Sequence, residues 1–234
     1  MEKIDLICNT DAKSLISEAY RVIRTNIQFS STAAKKLKSI IVTSTTLSEG
    51  KSTTISNLGV VLAQAGYKTV IVDCDLRKPV EHRIFKLKNI GLTNHIISYG
   101  NIDDFIQPSV VEKNLFVITS GTIPPNPSEI LGSEEMETII RELEERFDYV
   151  LIDTPPILPV TDALVLAGKV DGVIVVIESE RIKPAMAKEM KDRLVNNGAN
   201  ILGVILNKID VEHGHGYGYG YGYEYYHYYG VDDK

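Results

Sequence analysis

The fold is decided by Ser39-Ile-Ile-Val-Thr-Ser44 and, three residues later, by Ser48-Glu-Gly-Lys-Ser-Thr53. The first stretch is short, apolar and β-branched, which predicts a buried strand of a parallel sheet. The second is the end of a phosphate-binding loop. In such a loop Gly50 lets the backbone approach the phosphates, Lys51 reaches the β- and γ-phosphates, and the Ser52 hydroxyl binds Mg²⁺.

The surroundings of this loop favour phosphate binding, although its beginning is atypical. The position of the first glycine in the pattern Gly-x-x-x-x-Gly-Lys-Ser is Thr45 in this chain. A helix is predicted over residues 51–66, and Gly66 is suited to end it. Backbone N–H groups at the start of that helix would face the bound anion. We therefore expect the nucleotide to contact Ser48, Glu49, Gly50, Lys51, Ser52 and Thr53.

Two further predicted strands end in carboxylates. Asp73 ends the strand of residues 69–73 and is followed closely by Asp75, and Asp153 ends the strand of residues 149–153. In open α/β sheets, ligands bind at the carboxyl ends of the strands. A buried carboxylate is unfavourable without a partner, and a metal ion or a cation is a natural one. The sequence therefore predicts that the three carboxylates and the phosphate-binding loop share one Mg-nucleotide site.

The remaining elements complete an α/β pattern. Other apolar runs predict strands, and periodic segments between them predict helices. The strands are residues 115–119, 172–177 and 201–206, and the helices are residues 13–29, 133–147 and 183–196. Buried strands that alternate with helices predict a mostly parallel sheet with helices on both faces, like that of P-loop NTPases. We expect one domain over residues 1–210.

The composition changes after residue 210. Residues 211–234 are rich in glycine and tyrosine and contain eight of the 12 tyrosines in the chain. This segment has too little aliphatic surface to offset the conformational entropy that it would lose on ordering. We therefore predict a flexible tail. Gly-Tyr repeats can also self-associate, and that alternative stays open. The tail tyrosines are Tyr217, Tyr219, Tyr221, Tyr223, Tyr225, Tyr226, Tyr228 and Tyr229.

Bulk properties exclude several classes of protein. A net charge of −6 argues against a nucleic-acid partner, which requires a basic surface. The sequence has no apolar run of about 18 residues that could span a membrane, and no secretion signal at its N-terminus. Cys8 and Cys74 fit no disulfide or metal spacing, so reduced thiols and a cytoplasmic location are expected.

The residues at the end of the last predicted strand do not decide which nucleotide base is bound. Asn207-Lys-Ile-Asp210 follows that strand, and Asn207 and Lys208 are candidates for contacts with the base. The string is similar to the guanine-reading Asn-Lys-x-Asp motif of GTPases. These residues alone therefore allow either ATP or GTP, and an ordinary exit from a strand is an equal alternative.

Taken together, these motifs resemble a known family. Gly50-Lys-Ser52, Asp73-x-Asp-x-Arg77 and Asp153-Thr-Pro-Pro156 resemble the Walker A, A′ and B motifs of bacterial tyrosine kinases of capsular and exopolysaccharide synthesis. The segment from Glu18 to Arg24, Glu-x-x-Arg-x-x-Arg, resembles the subunit-contact motif of that family. With its tyrosine-rich C-terminus, the chain is similar to the stand-alone cytoplasmic form of Gram-positive bacteria.

This resemblance implies a reaction and roles for residues. ATP would donate its γ-phosphoryl group to tyrosines of the chain's own tail. Lys51 would neutralise the charge that develops on the transferred group, and Asp73 would accept the tyrosine proton. Arg77 and Lys78 would contact substrate or phosphate. The Mg²⁺ ligands would be Ser52, Asp75 and Asp153.

The resemblance also implies assembly and partners. Glu18, Arg21 and Arg24 would contact neighbouring subunits in a ring, for which the family suggests an octamer. The cytosolic end of a separate membrane protein would stimulate the kinase and recruit it to the inner face of the membrane. A cognate tyrosine phosphatase is also expected.

Two other functions remain open from the sequence. A chromosome-partition or division-site ATPase would share the expected fold, but its phosphate-binding loop carries an additional lysine where this chain has Thr46. The second is an adaptor in which a bound nucleotide is merely structural. The partition and division-site ATPases also lack a tyrosine-rich tail.

Overall fold

The computed structural model describes residues 6–31, 36–98 and 100–209. Within them, seven strands form one sheet: β1 (Ser39–Ser44), β2 (Thr69–Asp73), β3 (Gln107–Pro108), β4 (Leu115–Ile118), β5 (Tyr149–Asp153), β6 (Gly172–Glu178) and β7 (Ile201–Asn207). Their order is β3-β4-β2-β5-β1-β6-β7. All neighbouring strands are parallel except β3 and β4.

Helices connect these strands. They are α1 (Ile7–Thr10), α2 (Leu15–Ser30), α3 (Lys51–Gln64), α4 (Glu81–Ile84), α5 (Leu92–Ser98), α6 (Pro127–Gly132), α7 (Glu134–Arg146), α8 (Asp162–Ala167) and α9 (Pro184–Asn196), with a 3₁₀ helix at Ile102–Phe105. The side chain of Ser14 accepts a hydrogen bond from the Ser17 N–H and so caps the start of α2.

The sheet separates two hydrophobic cores, because successive side chains of a strand point to opposite faces. In β1, Ile40 and Val42 pack in the core that contains α2 and α3, whereas Ile41 packs in the core that contains α7, α8 and α9. Most of α3 is buried, since it lies between the sheet and α2. These helices hold the ends of the central strands rigidly in place.

The structure confirms the predicted α/β fold. Each helix and strand predicted from the sequence is present, with ends within two residues of those expected. The helix that begins at Lys51 ends at Gln64, and Gly66 follows with a φ of +93°. No sequence pattern indicated β3, which has only two residues, or the short helices.

The structure tests some of the remaining sequence predictions and leaves others untested. Cys8 and Cys74 are buried free thiols. None of the helices in the described part of the chain is long and apolar enough to cross a bilayer. The division at residue 210 stays a prediction, because the tail tyrosines and Asp210 lie outside the described residues.

Candidate active site

Three neighbouring strands bring the predicted site residues together. The sheet order places β5 between β2 and β1, so the ends of these three strands lie side by side. Asp73 and Asp153 occupy paired positions at the ends of β2 and β5. The phosphate-binding loop leaves the end of β1, and Lys51 begins α3. The parallel sheet therefore converts three separate motifs into one site.

Lys51 lies among the carboxylates. Its Nζ is 2.9 Å from Asp75 Oδ2 and 3.6 Å from Asp153 Oδ1, and the side chain is only 11% exposed. Burial disfavours the ammonium charge, but the attraction of Asp153 and Asp75 outweighs it and raises the pKa of Lys51 above its ordinary value. Lys51 therefore stays charged and balances the negative groups of the site.

Asp153 is suited to bind a metal ion. It is fully buried, and neither of its carboxylate oxygens has a hydrogen-bond partner within 3.5 Å in the described part of the chain. Burial raises the pKa of Asp153, while Lys51 opposes this shift. A divalent cation would satisfy these oxygens, since carboxylate and hydroxyl oxygens are the ligands that Mg²⁺ prefers.

The protein groups present fit such an ion only together with a nucleotide. No cluster of three or more His, Cys, Asp or Glu side chains among the described residues could hold a metal by itself. The expected set contains two carboxylates and the hydroxyl of Ser52. Mg²⁺ typically takes one or two carboxylates together with phosphate oxygens, and this set matches that pattern.

Asp73 is held in a fixed orientation by backbone groups. Its Oδ2 accepts hydrogen bonds from the N–H groups of Val80 and Glu81, both at 3.1 Å, and its Oδ1 accepts one from Asp75 at 3.2 Å. Burial raises the pKa of Asp73 to about 8, with a further contribution from the charge of Asp153. Asp73 is thus a stronger base than an ordinary aspartate, as a general base near neutral pH requires.

The Glu49 side chain shapes the phosphate-binding loop. Its Oε1 accepts hydrogen bonds from the backbone N–H and the hydroxyl of Thr46, and its Oε2 accepts one from the Glu178 N–H at 3.0 Å. The side chain is fully buried. A contact between Glu49 and nucleotide, as predicted, would therefore involve its backbone N–H.

A Glu49→Gln variant tests this role. Glutamine has one oxygen, so its NH₂ group would face a backbone N–H at one of the two positions. We expect unfolding free energy to fall by about 1–3 kcal/mol and Mg-ADP affinity to fall with it. Urea unfolding and nucleotide titration measure both, with exposed Glu145→Gln as the matched control. Equal stability of the two variants would contradict the role.

Gly50 is required by its surroundings. Its φ is +96°, and a Cβ atom at this position would lie 2.1 Å from Asn207 Nδ2. That Nδ2 donates a hydrogen bond to the carbonyl oxygen of Glu49 at 2.9 Å. The loop and the end of β7 are therefore in direct contact, and any larger residue than glycine would separate them.

Comparison with known proteins identifies the family. The tyrosine-protein kinase YwqD of Bacillus subtilis is 44% identical to this chain over 204 residues, which cover 87% of this chain and 85% of that protein. The chain belongs to the bacterial tyrosine-protein kinases. A family model described as an AAA domain also matches residues 37–190 of this kinase.

Solved structures agree with this assignment. The crystal structure of the chimerical protein CapA2B2 superposes with a TM-score of 0.82 at 41% identity, covering 87% of this kinase and 89% of that chain. The kinase domain of the Escherichia coli tyrosine kinase ETK superposes with a TM-score of 0.85 at 30% identity, covering 94% and 86%. The family and the enzyme class predicted from the sequence are confirmed.

Asn207 and Lys208 lie against the phosphate-binding loop of the kinase. Besides the contact of Asn207 with Glu49, Lys208 Nζ donates to the carbonyl oxygen of Ser48 at 2.9 Å and lies 3.2 Å from Glu178 Oε2. These contacts join β7 to the loop across the sheet. Contacts of either residue with a nucleotide base stay a prediction.

Arg77 and Lys78 have partners within the chain. The Arg77 guanidinium binds both carboxylate oxygens of Asp162, at 2.8 and 2.9 Å. The Lys78 N–H donates to Asp75 Oδ1 at 3.0 Å. Arg77 therefore ties the loop after β2 to the start of α8. Its predicted contact with substrate or phosphate is untested.

The residues expected at subunit contacts lie on α2. Arg21 Nη1 is 2.6 Å from Glu18 Oε2, and a second nitrogen of Arg21 donates to the Ala12 carbonyl. Arg24 Nη1 donates to the carbonyl oxygen of Val61 in α3 at 3.1 Å. Within one chain, Arg24 thus anchors α2 on α3. Their role between subunits stays a prediction.

One charged residue of the site was missed at the sequence level. Glu81 follows the loop that carries Asp73 and Asp75, and it is fully buried beside them. It was overlooked because it lies in a short helix without periodic pattern. A charged residue immediately after the apolar Pro79-Val80 pair is the only signal, and it is weak.

Proposed function

We propose that this tyrosine-protein kinase uses ATP and Mg²⁺ to phosphorylate the tyrosines of its own C-terminal tail, and that it thereby regulates capsular or exopolysaccharide synthesis and export. The observation that carries the proposal is the position of Lys51, within 3.6 Å of carboxylates at two different strand ends. The tail supplies eight tyrosines next to a kinase domain. The kinship with YwqD supports the reaction.

Some residues of the site would bind the nucleotide, and others would stabilise negative charge or hold the metal ion. The backbone of residues 48–53 would cradle the phosphates, and Lys51 would stabilise the charge that develops on the transferred group. Ser52, Asp75 and Asp153 would hold Mg²⁺, which when bound neutralises charge on the phosphate oxygens. Asn207 and Lys208, at the edge of the loop, would contact adenine.

Asp73 would take the proton from the attacking tyrosine. A tyrosine hydroxyl has an ordinary pKa of about 10, so a positioned acceptor is required near neutral pH. The pKa of Asp73, raised to about 8 mainly by burial, brings it closer to that of the phenol. The three backbone N–H groups that bind its oxygens fix the orientation of the carboxylate at the end of β2.

The tail would be phosphorylated by a neighbouring subunit of a ring. The 24 residues of the tail can extend about 80 Å, farther than the approximately 45 Å width of a domain of this size. Contacts through Glu18, Arg21 and Arg24 would hold the ring, for which an octamer is our working assumption. A separate membrane protein would bind the kinase through its cytosolic tail, stimulate it and recruit it from the cytoplasm to the inner face of the membrane.

Phosphorylation is expected to loosen the ring. Eight phosphotyrosines would add about 12–16 negative charges to a chain whose net charge is already −6. Repulsion between tails and domains should then lower the mass in solution. Light scattering before and after treatment with a tyrosine phosphatase measures this change. Equal masses in both states would contradict the proposal.

The activity itself is tested by mass spectrometry of the tail. After incubation with Mg-ATP, phosphate should be found on Tyr217 to Tyr229 and should be absent from a Lys51→Met control. The assay is run with and without the cytosolic peptide of the membrane partner, and Mg-GTP replaces Mg-ATP in a parallel sample. An unmodified tail in every sample would overturn the proposed function.

A further inference from the structure

Glu81 is a fourth buried acidic residue beside the catalytic carboxylates. Its side chain is fully buried, its Oε2 lies 2.8 Å from Ser56 Oγ, and its Oε1 has no hydrogen-bond partner in the described part of the chain. Its backbone N–H donates to Asp73 Oδ2. Glu81 thus contacts both the residue proposed as the base and the helix that begins at Lys51.

The two short contacts of Ser56 Oγ bear on the protonation of Glu81. Ser56 Oγ is 2.7 Å from the carbonyl oxygen of Ser52 and 2.8 Å from Glu81 Oε2. A carbonyl oxygen can only accept, and a hydroxyl has one proton to donate. When Ser56 donates to Ser52, the contact with Glu81 requires a proton from the Glu81 carboxyl group. Both contacts are satisfied only if Glu81 is protonated.

The charges around Glu81 favour the same state. Burial raises the pKa of Glu81 well above its ordinary value, and the negative charge of Asp153 adds to the effect. Lys51 lies in contact with Asp75 and Asp153, and its attraction for Glu81 is the smaller contribution. An additional buried anion here would be strongly unfavourable.

We propose that Glu81 is a positioning residue: as a neutral carboxylic acid it donates to Ser56 and so fastens the Asp73 loop to the phosphate-binding helix. The inference rests on the proposed function, because it assigns Glu81 a part in orienting the base. A continuous chain of hydrogen bonds then runs from Asp73 through Glu81 and Ser56 to the backbone of Ser52. This chain of hydrogen bonds holds Asp73, the proposed base, in a fixed position relative to Ser52, an expected metal ligand.

Substitutions distinguish a neutral Glu81 that donates a hydrogen bond from a Glu81 that carries a buried charge. In Glu81→Gln the amide NH₂ donates to Ser56 as the acid does, so kcat should stay within about threefold of wild type. Glu81→Ala removes the donor and should lower kcat about 10- to 100-fold, with a much smaller change in KM for ATP. Ser56→Ala should lower kcat similarly, and the double variant should be no worse than Glu81→Ala.

The same substitution in Glu49 is the matched control. Glu49 accepts backbone N–H groups at both oxygens, so glutamine should impair the protein there and be tolerated at Glu81. If Glu81→Ala does not fold, Ser56→Ala carries the kinetic test. Loss of activity in Glu81→Gln equal to that in Ser56→Ala would overturn the inference.

Infrared spectroscopy detects whether Glu81 is protonated, and the measurement does not depend on kinase activity. The difference spectrum between wild type and Glu81→Gln at neutral pH should contain the C=O stretch of a carboxylic acid and lack carboxylate bands. Carboxylate bands in that spectrum would overturn the inference whatever the kinetics. If wild type phosphorylates no tyrosine, the proposed function fails, while this spectrum still decides the state of Glu81.

Discussion

Replacing Lys51 with methionine is expected to lower the rate of tyrosine phosphorylation by about 10³-fold, because the site loses a buried cation aimed at the developing charge. Methionine is similar in length, so the shape of the loop should persist. The buried ammonium lies 2.9 Å from Asp75, which is also an expected ligand of the metal ion. Initial rates of phosphotyrosine formation measure the loss, and exposed Lys188→Met on α9 is the control.

The same substitution should destabilise the protein. Lys51 balances Asp75 and Asp153, and removal of one member of a buried ion pair typically costs about 3–5 kcal/mol. Urea unfolding without nucleotide measures this loss. A Lys51→Met/Asp75→Asn variant should recover part of the stability, since one unbalanced carboxylate is removed, yet none of the activity. A Lys51→Met protein that retains more than about a tenth of the wild-type rate would contradict the assigned role.

The sequence predicted the parts of the site that depend on strand ends. Short apolar runs identify buried strands. Because β2, β5 and β1 are parallel neighbours, the residues that follow them lie together at the carboxyl edge of the sheet. Lys51, Asp75 and Asp153 therefore follow from local patterns alone. The structure then adds the distances that make Lys51 a partner of both aspartates.

Contacts between distant segments could not be predicted. Asn207 and Glu49 are joined by a hydrogen bond although they are 158 residues apart, and Glu178 meets Glu49 across 129 residues. Such pairs leave no periodic pattern in a sequence. The state of Glu81 depends on three partners from different elements, so only the folded arrangement reveals it. The two-residue strand β3 is similarly too short to leave a signal.

Replacing the eight tail tyrosines with phenylalanine is expected to remove nearly all self-phosphorylation. The tyrosines described in the folded domain, Tyr20, Tyr67 and Tyr149, are buried or half-buried, which disfavours their entry into another active site. Phenylalanine preserves the aromatic rings, so self-association through Gly-aromatic repeats should persist. Total phosphotyrosine after incubation with Mg-ATP measures the effect. Undiminished incorporation would contradict the tail as the acceptor.

A mixture of two chains, neither of which can phosphorylate its own tail, decides whether the tail is modified in trans. The eight-phenylalanine chain has an intact site and no tail acceptors, whereas the Lys51→Met chain has acceptors and an impaired site. If subunits modify one another, the mixture should phosphorylate the Lys51→Met chain, which a size tag distinguishes. A silent mixture beside an active wild type would mean that each tail reaches only its own site. Both chains keep Glu18, Arg21 and Arg24, the proposed contact residues, and light scattering of the mixture checks that the two chains assemble.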